Sequence, residues 1–393
     1  MRRRVGVGVV GFGWMGQAHS RSCRRIPMLF PDRAGDPDLV VCSDTVRERR
    51  DEALSAFGFR EAADDWRRVC EHPDVDAVFV TAPNMLHVEV VQAACAAGKH
   101  VFCEKPVGGT PEQTARAAAA AREAGVISGV GYNYRCAPLV RYAAELLGSG
   151  RLGEVQHYRG RFFSMYGNDP LGVLSWRFLQ EEAGYGASAD LLSHAIDLAQ
   201  MLVGPIVRVV GARATYIRER PLPQPGAGTH YGRGRPGDPT GAVTNEDWAG
   251  ALVVFESGAQ GTLEASRALV GPSSEMAFDL YGSAGAVGWS LERMNELRLY
   301  LAGDEPHAGY TTVLGGDRFP RHGSFVPGSG NGIGFEDLIA IEDLEFLDAV
   351  ARGEPYVPGF EEALACVQVQ AALVRSWESE RWEDVAPIAE VIA

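Results

Sequence analysis

Residues 5–10 form an unbroken apolar run that passes directly into Gly11-Phe12-Gly13-Trp14-Met15-Gly16. A short buried strand ending in three glycines at this spacing leaves the chain few folds to choose from. Gly11 permits the tight turn, Gly13 lets a pyrophosphate approach the backbone, and Gly16 lets the following helix pack closely on the strand. That helix starts near Trp14 and turns its positive end toward the bound anion. The segment reads as a nucleotide-binding turn opening a parallel sheet.

The pattern downstream agrees. Strands are predicted at 39–42, 77–81, 101–103 and from 126 to 129, alternating with helices at 47–57, 87–97 and 111–124. Pro111 at the start of the last helix and Gly125 just past its end are helix punctuation. Such β-α repetition places helices on both faces of a parallel sheet. The rhythm then changes. A helix at 138–147 and a strand at 155–163 lead through a glycine-bearing loop to Ser175-Trp176-Arg177-Phe178, and a helix follows at 190–202. Strands at 206–215, 247–256, 261–266, 274–281, 286–290 and 296–300 suit an antiparallel sheet, and helices at 334–351 and 360–377 close the chain. Residues 221–241, rich in Pro and Gly, read as a surface loop poised to cover a pocket. The expected fold class is α/β: a Rossmann domain at 1–131, then an α/β domain at 132–393 built on a large, mostly antiparallel open sheet.

Composition removes several function classes. With 393 residues the chain is longer than one core usually supports, which favours two domains. A formal charge of −14 argues against nucleic acid as a partner, because that affinity comes from Lys and Arg neutralising phosphates. No apolar stretch reaches the roughly 20 residues needed to span a bilayer, and 5–10 is too short for a signal-peptide core. Seven scattered cysteines without a Cys-x-x-Cys suit a reducing compartment, so a cytoplasmic location is expected, without membrane association.

Asp44 ends the second predicted strand, where an acid can accept the hydroxyls of an adenine ribose. It lies 28 residues beyond Gly16 rather than about 20, and a Pro- and Asp-containing insertion at 26–38 accounts for the difference. The carboxylate favours NAD as cofactor, since a 2′-phosphate would meet like charge. Arg47 and Arg49 nearby offer NADP a partial rescue.

Only two of 37 basic side chains are lysines, Lys99 and Lys105, and the second sits in Glu104-Lys105-Pro106 at a strand end. Arg cannot replace Lys where a compact donor must reach one hydroxyl or give up a proton. Asp190 and His194 stand four residues apart on a predicted helix, so their side chains share a face and suit proton transfer from an alcohol. Taken alone, such a pair is common and is better explained by a packed histidine beside a solvated Asp. Asp197 is a further candidate partner. No third ligand has metal-site spacing, so no metal is expected.

These segments, with Thr81-Ala82-Pro83-Asn84-x-x-His87 and Asp190-x-x-x-His194-x-x-Asp197, together resemble the glucose–fructose oxidoreductase / inositol dehydrogenase / rhizopine catabolism (Gfo/Idh/MocA) family along essentially the whole chain. Ser175-Trp176-Arg177-Phe178, Gly184-Tyr185-Gly186-Ala187 and Glu219-Arg220-Pro221 look like its inositol and levoglucosan dehydrogenase branch. The resemblance implies a cofactor site framed by Gly11, Phe12, Gly13, Trp14, Met15, Gly16, Asp44, Thr81, Pro83, Asn84, His87, Glu104, Lys105 and Pro106. It implies Lys105, Asp190 and His194 around the reacting hydroxyl in a domain cleft, and a homodimer or homotetramer assembled through the second-domain sheet. Ser188 and Ala189 depart from the smaller residues usual before the Asp helix, which leaves the pocket floor open.

The expected reaction is hydride transfer between NAD and a secondary ring hydroxyl of a small, neutral, polyhydroxylated substrate: a cyclitol, a sugar or an anhydrosugar. His194 or Lys105 takes the proton, and residue type does not decide between them. Tyr134, Tyr166, Asn168, Asp169 and Arg177 are candidates for reading the other hydroxyls. Two other reactions fit the same groups: reduction of a keto-sugar or keto-cyclitol biosynthetic intermediate, and NAD-dependent glycoside hydrolysis through transient oxidation at C3. A nucleotide sensor fits the glycine turn but has no use for the proton-transfer set.

Overall fold

The computed structural model describes residues 2–223, 232–303 and 308–387. Its first strand, β1 (Arg3–Val10), turns through the glycines into α1 (Trp14–Leu29), and β2 (Gly35–Ser43) returns beside it. There follow α2 (Arg47–Glu52) with a π-helical turn at Ala53–Phe57, β3 (Glu61–Ala63), α3 (Arg67–Glu71), β4 (Ala77–Val80), α4 (His87–Ala96), β5 (His100–Cys103), α5 (Pro111–Ala124) and β6 (Ser128–Val130). The six strands form one parallel sheet in the order β3-β2-β1-β4-β5-β6. The order reverses between β1 and β4, and ligands of such sheets bind beyond the strand ends at that switch point. Helix α5 shows the local logic: Thr110 caps it by accepting from the Gln113 amide at 3.2 Å, Pro111 opens it, and Gly125 closes it at φ 63°.

The extra residues at 26–38 lie largely in regular structure, since α1 runs on to Leu29 and β2 already starts at Gly35. The distance from Gly16 to Asp44 therefore comes from a long helix and a long strand. The early part of β2 is held by backbone pairing of 35–38 with 3–6 and by ion pairing of Arg4 with Asp38.

The second sheet follows α6 (Pro138–Gly148). Its elements are β7 (Val155–Ser164), α7 (Gln180–Ala183), α8 (Ser193–Val203), β8 (Ile206–Ala214), β9 (Glu219–Pro221), β10 (Thr240–Ala242), β11 (Trp248–Phe255), β12 (Gln260–Ser266), β13 (Ser274–Gly282), β14 (Gly285–Ser290), β15 (Glu296–Leu301) and β16 (Thr311–Leu314). Two helices, α9 (Phe335–Arg352) and α10 (Phe360–Ser379), and a short β17 (Glu383–Asp384) end the described chain. Nine strands pair in the order β16-β15-β14-β13-β7-β12-β11-β8-β17, antiparallel throughout except for β7 beside β12. Helix α8 packs on β7, β12 and β13. One sheet face is apolar and buried through Tyr158, Phe162, Leu263, Met276 and Phe278. The opposite face mixes exposed Leu252 with an ion-pair ladder in which Arg161 meets Glu275 and Asp279, and Asp279 also meets Arg298. The loop at 221–241 lies partly outside the described residues; its ends pair as β9 with β10, and Arg233 bridges to Gly172.

The chain divides into two compact units, and neither is continuous in sequence. Residues 316–364 pack with 1–138, while 139–315 join 365–387. A single break after residue 131 does not describe this division, because α9 docks on α1. Arg21 grips the Glu336 carboxylate with two nitrogens at 2.6 and 3.0 Å, Arg25 pairs with Asp337, and Trp14 stacks on Phe335 with centroids 5.7 Å apart. Among the described residues no helix is long and apolar enough to cross a membrane.

Candidate active site

The glycine turn is built for close contact. Gly11 holds φ 90°, where a side chain would press on the Ala82 backbone at 2.7 Å. Thr81 locks the turn by donating its hydroxyl to the Gly11 carbonyl at 2.6 Å. A Cβ on Gly16 would fall 2.1 Å from that same carbonyl, whereas one on Gly13 would meet nothing within 4 Å. Helix α1 has no side-chain cap and no acid in its first turn. An uncapped helix end facing open space at Gly13 fits a dinucleotide pyrophosphate.

Phe12 offers the site only its backbone. Its ring is fully buried, edge-on to Phe57 and Phe59 at 4.9 and 5.8 Å, and its amide donates to Asp44 Oδ2 at 2.8 Å. Asp44 also accepts from the Val46 amide at 2.8 Å and from Arg49 at 3.3 Å. The acid predicted for the ribose is thus fixed against the turn with a guanidinium at its side. Met15 is half-buried, and Trp14 is exposed on its stack with Phe335.

Pro83 and Asn84 open a short 3₁₀ turn after β4, and Lys105 and Pro106 follow β5, all of them half-buried or exposed. His87 does not reach outward with them. It is 1% exposed, and its ring nitrogens lie 2.8 Å from the Ala82 and Pro106 carbonyls, so it ties the two loops together from beneath. Burial lowers its pKa below the ordinary imidazole value, against the pull of those carbonyls.

Sequence reasoning missed the support under Lys105. Glu104 accepts the Lys105 amide on one carboxylate oxygen at 3.2 Å, and its other oxygen meets His19 Nε2 at 3.2 Å. Nδ1 of His19 lies 2.8 Å from Asp343, in α9. Burial opposes a charge on His19, but the two flanking carboxylates outweigh it and raise its pKa well above the usual value. The available signal was a polar residue on the buried face of α1 and an Asp amid the apolar positions of α9. Tyr134, a substrate candidate, is buried in this same unit with its ring edge-on to Phe335 at 6.2 Å.

Asp190 and His194 belong to the other unit. The expected unbroken α-helix at 190–202 is instead a π-helical turn, Ser188–Leu192, feeding α8. The wider turn moves Asp190 off the face that a regular α-helix would give it, so the i, i+4 argument does not carry over unchanged. Its carboxylate is held from two loops: Tyr166 donates to Oδ2 at 2.8 Å and Arg177 to Oδ1 at 3.2 Å. Burial and the Asp190 charge push the Tyr166 phenol well up, so it stays a donor at working pH. His194 is 6% exposed, with its ring 5.9 Å from Phe162, and Asp197 is buried. Asn168 is half-buried in the loop after Tyr166.

Ser188, one of the two departures noted above, has a structural reason. Its amide and hydroxyl both donate to Oε1 of buried Glu246, at 2.9 and 2.6 Å, while its carbonyl accepts from Gln370 at 2.6 Å. These bonds pin the start of the turn that carries Asp190. Among the described residues no group of His, Cys, Asp or Glu is arranged to hold a metal ion.

Known proteins place this geometry. The profile of the oxidoreductase family with an NAD-binding Rossmann fold matches residues 5–132, and that of the GFO/IDH/MocA C-terminal domain matches 140–288. The chain belongs to the Gfo/Idh/MocA oxidoreductase family. It is similar to the levoglucosan dehydrogenase of Pseudarthrobacter phenanthrenivorans, 34% identical over 98% of this chain and 100% of that one. It is 25% identical to the myo-inositol 2-dehydrogenase of Thermotoga maritima over 95% of this chain and 97% of that one. A solved structure of levoglucosan dehydrogenase in complex with NADH and levoglucosan superposes with a TM-score of 0.92 at 32% identity, covering 98% of this chain and 100% of that one. As a Gfo/Idh/MocA protein with the glycine turn intact, this chain is an NAD-dependent dehydrogenase.

Proposed function

We propose that this dehydrogenase oxidises one secondary ring hydroxyl of a small, neutral sugar, anhydrosugar or cyclitol. The observation that carries the reading is the Asp190 carboxylate, fixed by Tyr166 and Arg177 four residues from a buried histidine. NAD+, bound at the glycine turn, accepts the hydride. His194 takes the hydroxyl proton, and Asp190 favours the imidazolium that results. Lys105 donates to the same oxygen as alkoxide character develops, where such a bond is worth most. Asn168 and Arg177 read neighbouring hydroxyls from their loops, and Tyr134 is a further candidate. The relatives named for levoglucosan and myo-inositol support this substrate class.

The test is NADH formation at 340 nm with purified protein and a panel containing levoglucosan, myo-inositol, scyllo-inositol and simple pyranoses. Sustained NADH production with at least one member is expected. NADH consumption by keto-sugars without the forward reaction would favour a biosynthetic reductase. Glycoside cleavage with no net change in NADH would favour the hydrolase route.

The open, ion-pair-bearing face of the second sheet supports assembly of the chain with copies of itself. Seven free thiols support a reducing, cytoplasmic setting.

A further inference from the structure

Two arginines in the second unit are buried as deeply as any core residue: Arg220 is 1% exposed and Arg267 is 0%. Both guanidiniums lie over the ring of Phe178, at 3.9 and 4.5 Å from its centroid. Their donors go mostly to backbone carbonyls, and each of those carbonyls belongs to a loop of the candidate site. Arg220 donates to the carbonyls of Gly167 and Asp169, the residues on either side of Asn168. Arg267 donates to the carbonyl of Arg177 at 3.0 Å, and Asn245 donates to the same oxygen at 3.1 Å. The remaining nitrogens of Arg267 reach Asp247 at 2.9 Å and Asn245 at 2.8 Å. Its own carbonyl accepts the Gly167 amide at 2.8 Å.

The placement is informative because a buried guanidinium is costly unless its donors are used. Asp247 neutralises Arg267, but the acceptors of Arg220 that the structure gives are neutral carbonyls and a ring face. Burial pulls the Arg220 guanidinium below its ordinary pKa. Packing alone would be served as well by an apolar side chain of similar volume. A planar fork that takes the Gly167 and Asp169 carbonyls does something an apolar residue cannot: it clamps the peptide entering Asn168 and the one leaving Asp169, and so holds the short segment that carries the Asn168 side chain.

We infer that Arg220 and Arg267, both set over the ring of Phe178, are positioning residues for substrate recognition, setting the loops that present Asn168, Tyr166 and Arg177. Arg220 orients Asn168 and the segment following Tyr166, and Arg267 anchors Arg177 by its carbonyl. Tyr166 and Arg177 in turn hold the two oxygens of Asp190. This inference rests on the dehydrogenase reading above.

The experiment replaces Arg220 by Lys, which keeps the charge but can take only one carbonyl with the right geometry. Wild type must first oxidise a member of the polyol panel; if it does not, the functional reading has failed and the variant is not at issue. R220K is expected to bind NAD+ like wild type, to lower kcat/KM for the sugar tenfold or more with most of the change in KM, and to melt within a few degrees of wild type. In a double-mutant cycle, R220K/N168A should be little worse than N168A, because Arg220 acts through Asn168. Fully multiplicative losses, or unchanged sugar kinetics in folded R220K, would overturn the inference. If R220K does not fold, F178L decides: it keeps both arginines but removes the ring that aligns them, and the same KM-weighted loss is expected. Unchanged kinetics in F178L, or its failure to fold as well, would make the cluster a folding element only and overturn the inference.

Discussion

The imidazole of His19 and the carboxylate of Asp343 meet at 2.8 Å across 324 positions of sequence, both fully buried. This contact joins α1 to α9 and, through Glu104, reaches the backbone amide of Lys105.

Replacing His19 by Gln should therefore destabilise the protein by about 3–5 kcal/mol near pH 6, the usual cost of removing one partner of a buried pair. The pKa of His19 is raised on folding, so its contribution is complete below the unfolded value of about 6.5 and is lost as pH rises through the higher folded value. Denaturant titrations of both proteins at pH 6 and at pH 9 should show the gap narrowing at the alkaline end. A gap that stays constant would mean that the pair is not charged.

NAD+ should bind at least tenfold more tightly than NADP+, because a 2′-phosphate would approach the Asp44 carboxylate. Arg49 already sits 3.3 Å from that carboxylate. Asp44→Ala should accordingly free a guanidinium and narrow the preference or reverse it. Fluorescence titration with both cofactors reads the outcome, and equal affinities in wild type would show that Arg49 dominates.

Lys105→Arg is expected to cut kcat by roughly 10²-fold or more while leaving NAD+ affinity nearly unchanged. The amide of Lys105 is held by Glu104, so the loop keeps its path and only the side-chain chemistry changes. Turnover within threefold of wild type would remove Lys105 from the mechanism.

His194→Asn should lower kcat/KM by roughly 10²-fold or more at neutral pH, since Asn cannot take up a proton. Asp190→Asn should cost less and should move the acidic limb of the pH profile downward, because an imidazole without a neighbouring carboxylate loses its proton at lower pH. Tyr166→Phe should leave the alkaline limb in place, as the Tyr166 phenol is held protonated by burial and by Asp190. An alkaline limb that vanishes in Tyr166→Phe would assign the base to tyrosine.

In solution the protein should exceed its monomer mass of 42.3 kDa, as a dimer or a tetramer. Light scattering at micromolar concentration checks this. Sensitivity of the assembly to salt is expected as well, because the open sheet face carries Arg161, Glu275, Asp279 and Arg298 rather than a continuous apolar patch. A single species at monomer mass would refute it.

The sequence by itself determined what depends on short-range chemistry. Strand, glycine turn and helix are contiguous at 5–16, and the turn's φ and close approaches follow from the missing side chains, so the glycine turn was legible from the sequence. The parallel sheet followed from repetition, and the antiparallel one from strand spacing. Lys105, Asp190 and His194 stood out by residue type. Tertiary structure decided what depends on partners far apart in the chain. The buried faces of α1 and α9 carry His19 and Asp343, and neither explains itself until the two meet. His87 looks like a cofactor contact in its motif, yet two carbonyls from separate loops claim its ring. Ser188 reads as an intrusion until Glu246 is placed beside it. Arg220 stands in sequence only as part of the Glu219-Arg220-Pro221 motif and Arg267 as one arginine among many, and the burial of both leaves no mark there. The physical reason is common to all of these: a buried polar group is stable only with its partner in place, and that partner is supplied by the fold rather than by the neighbouring residues.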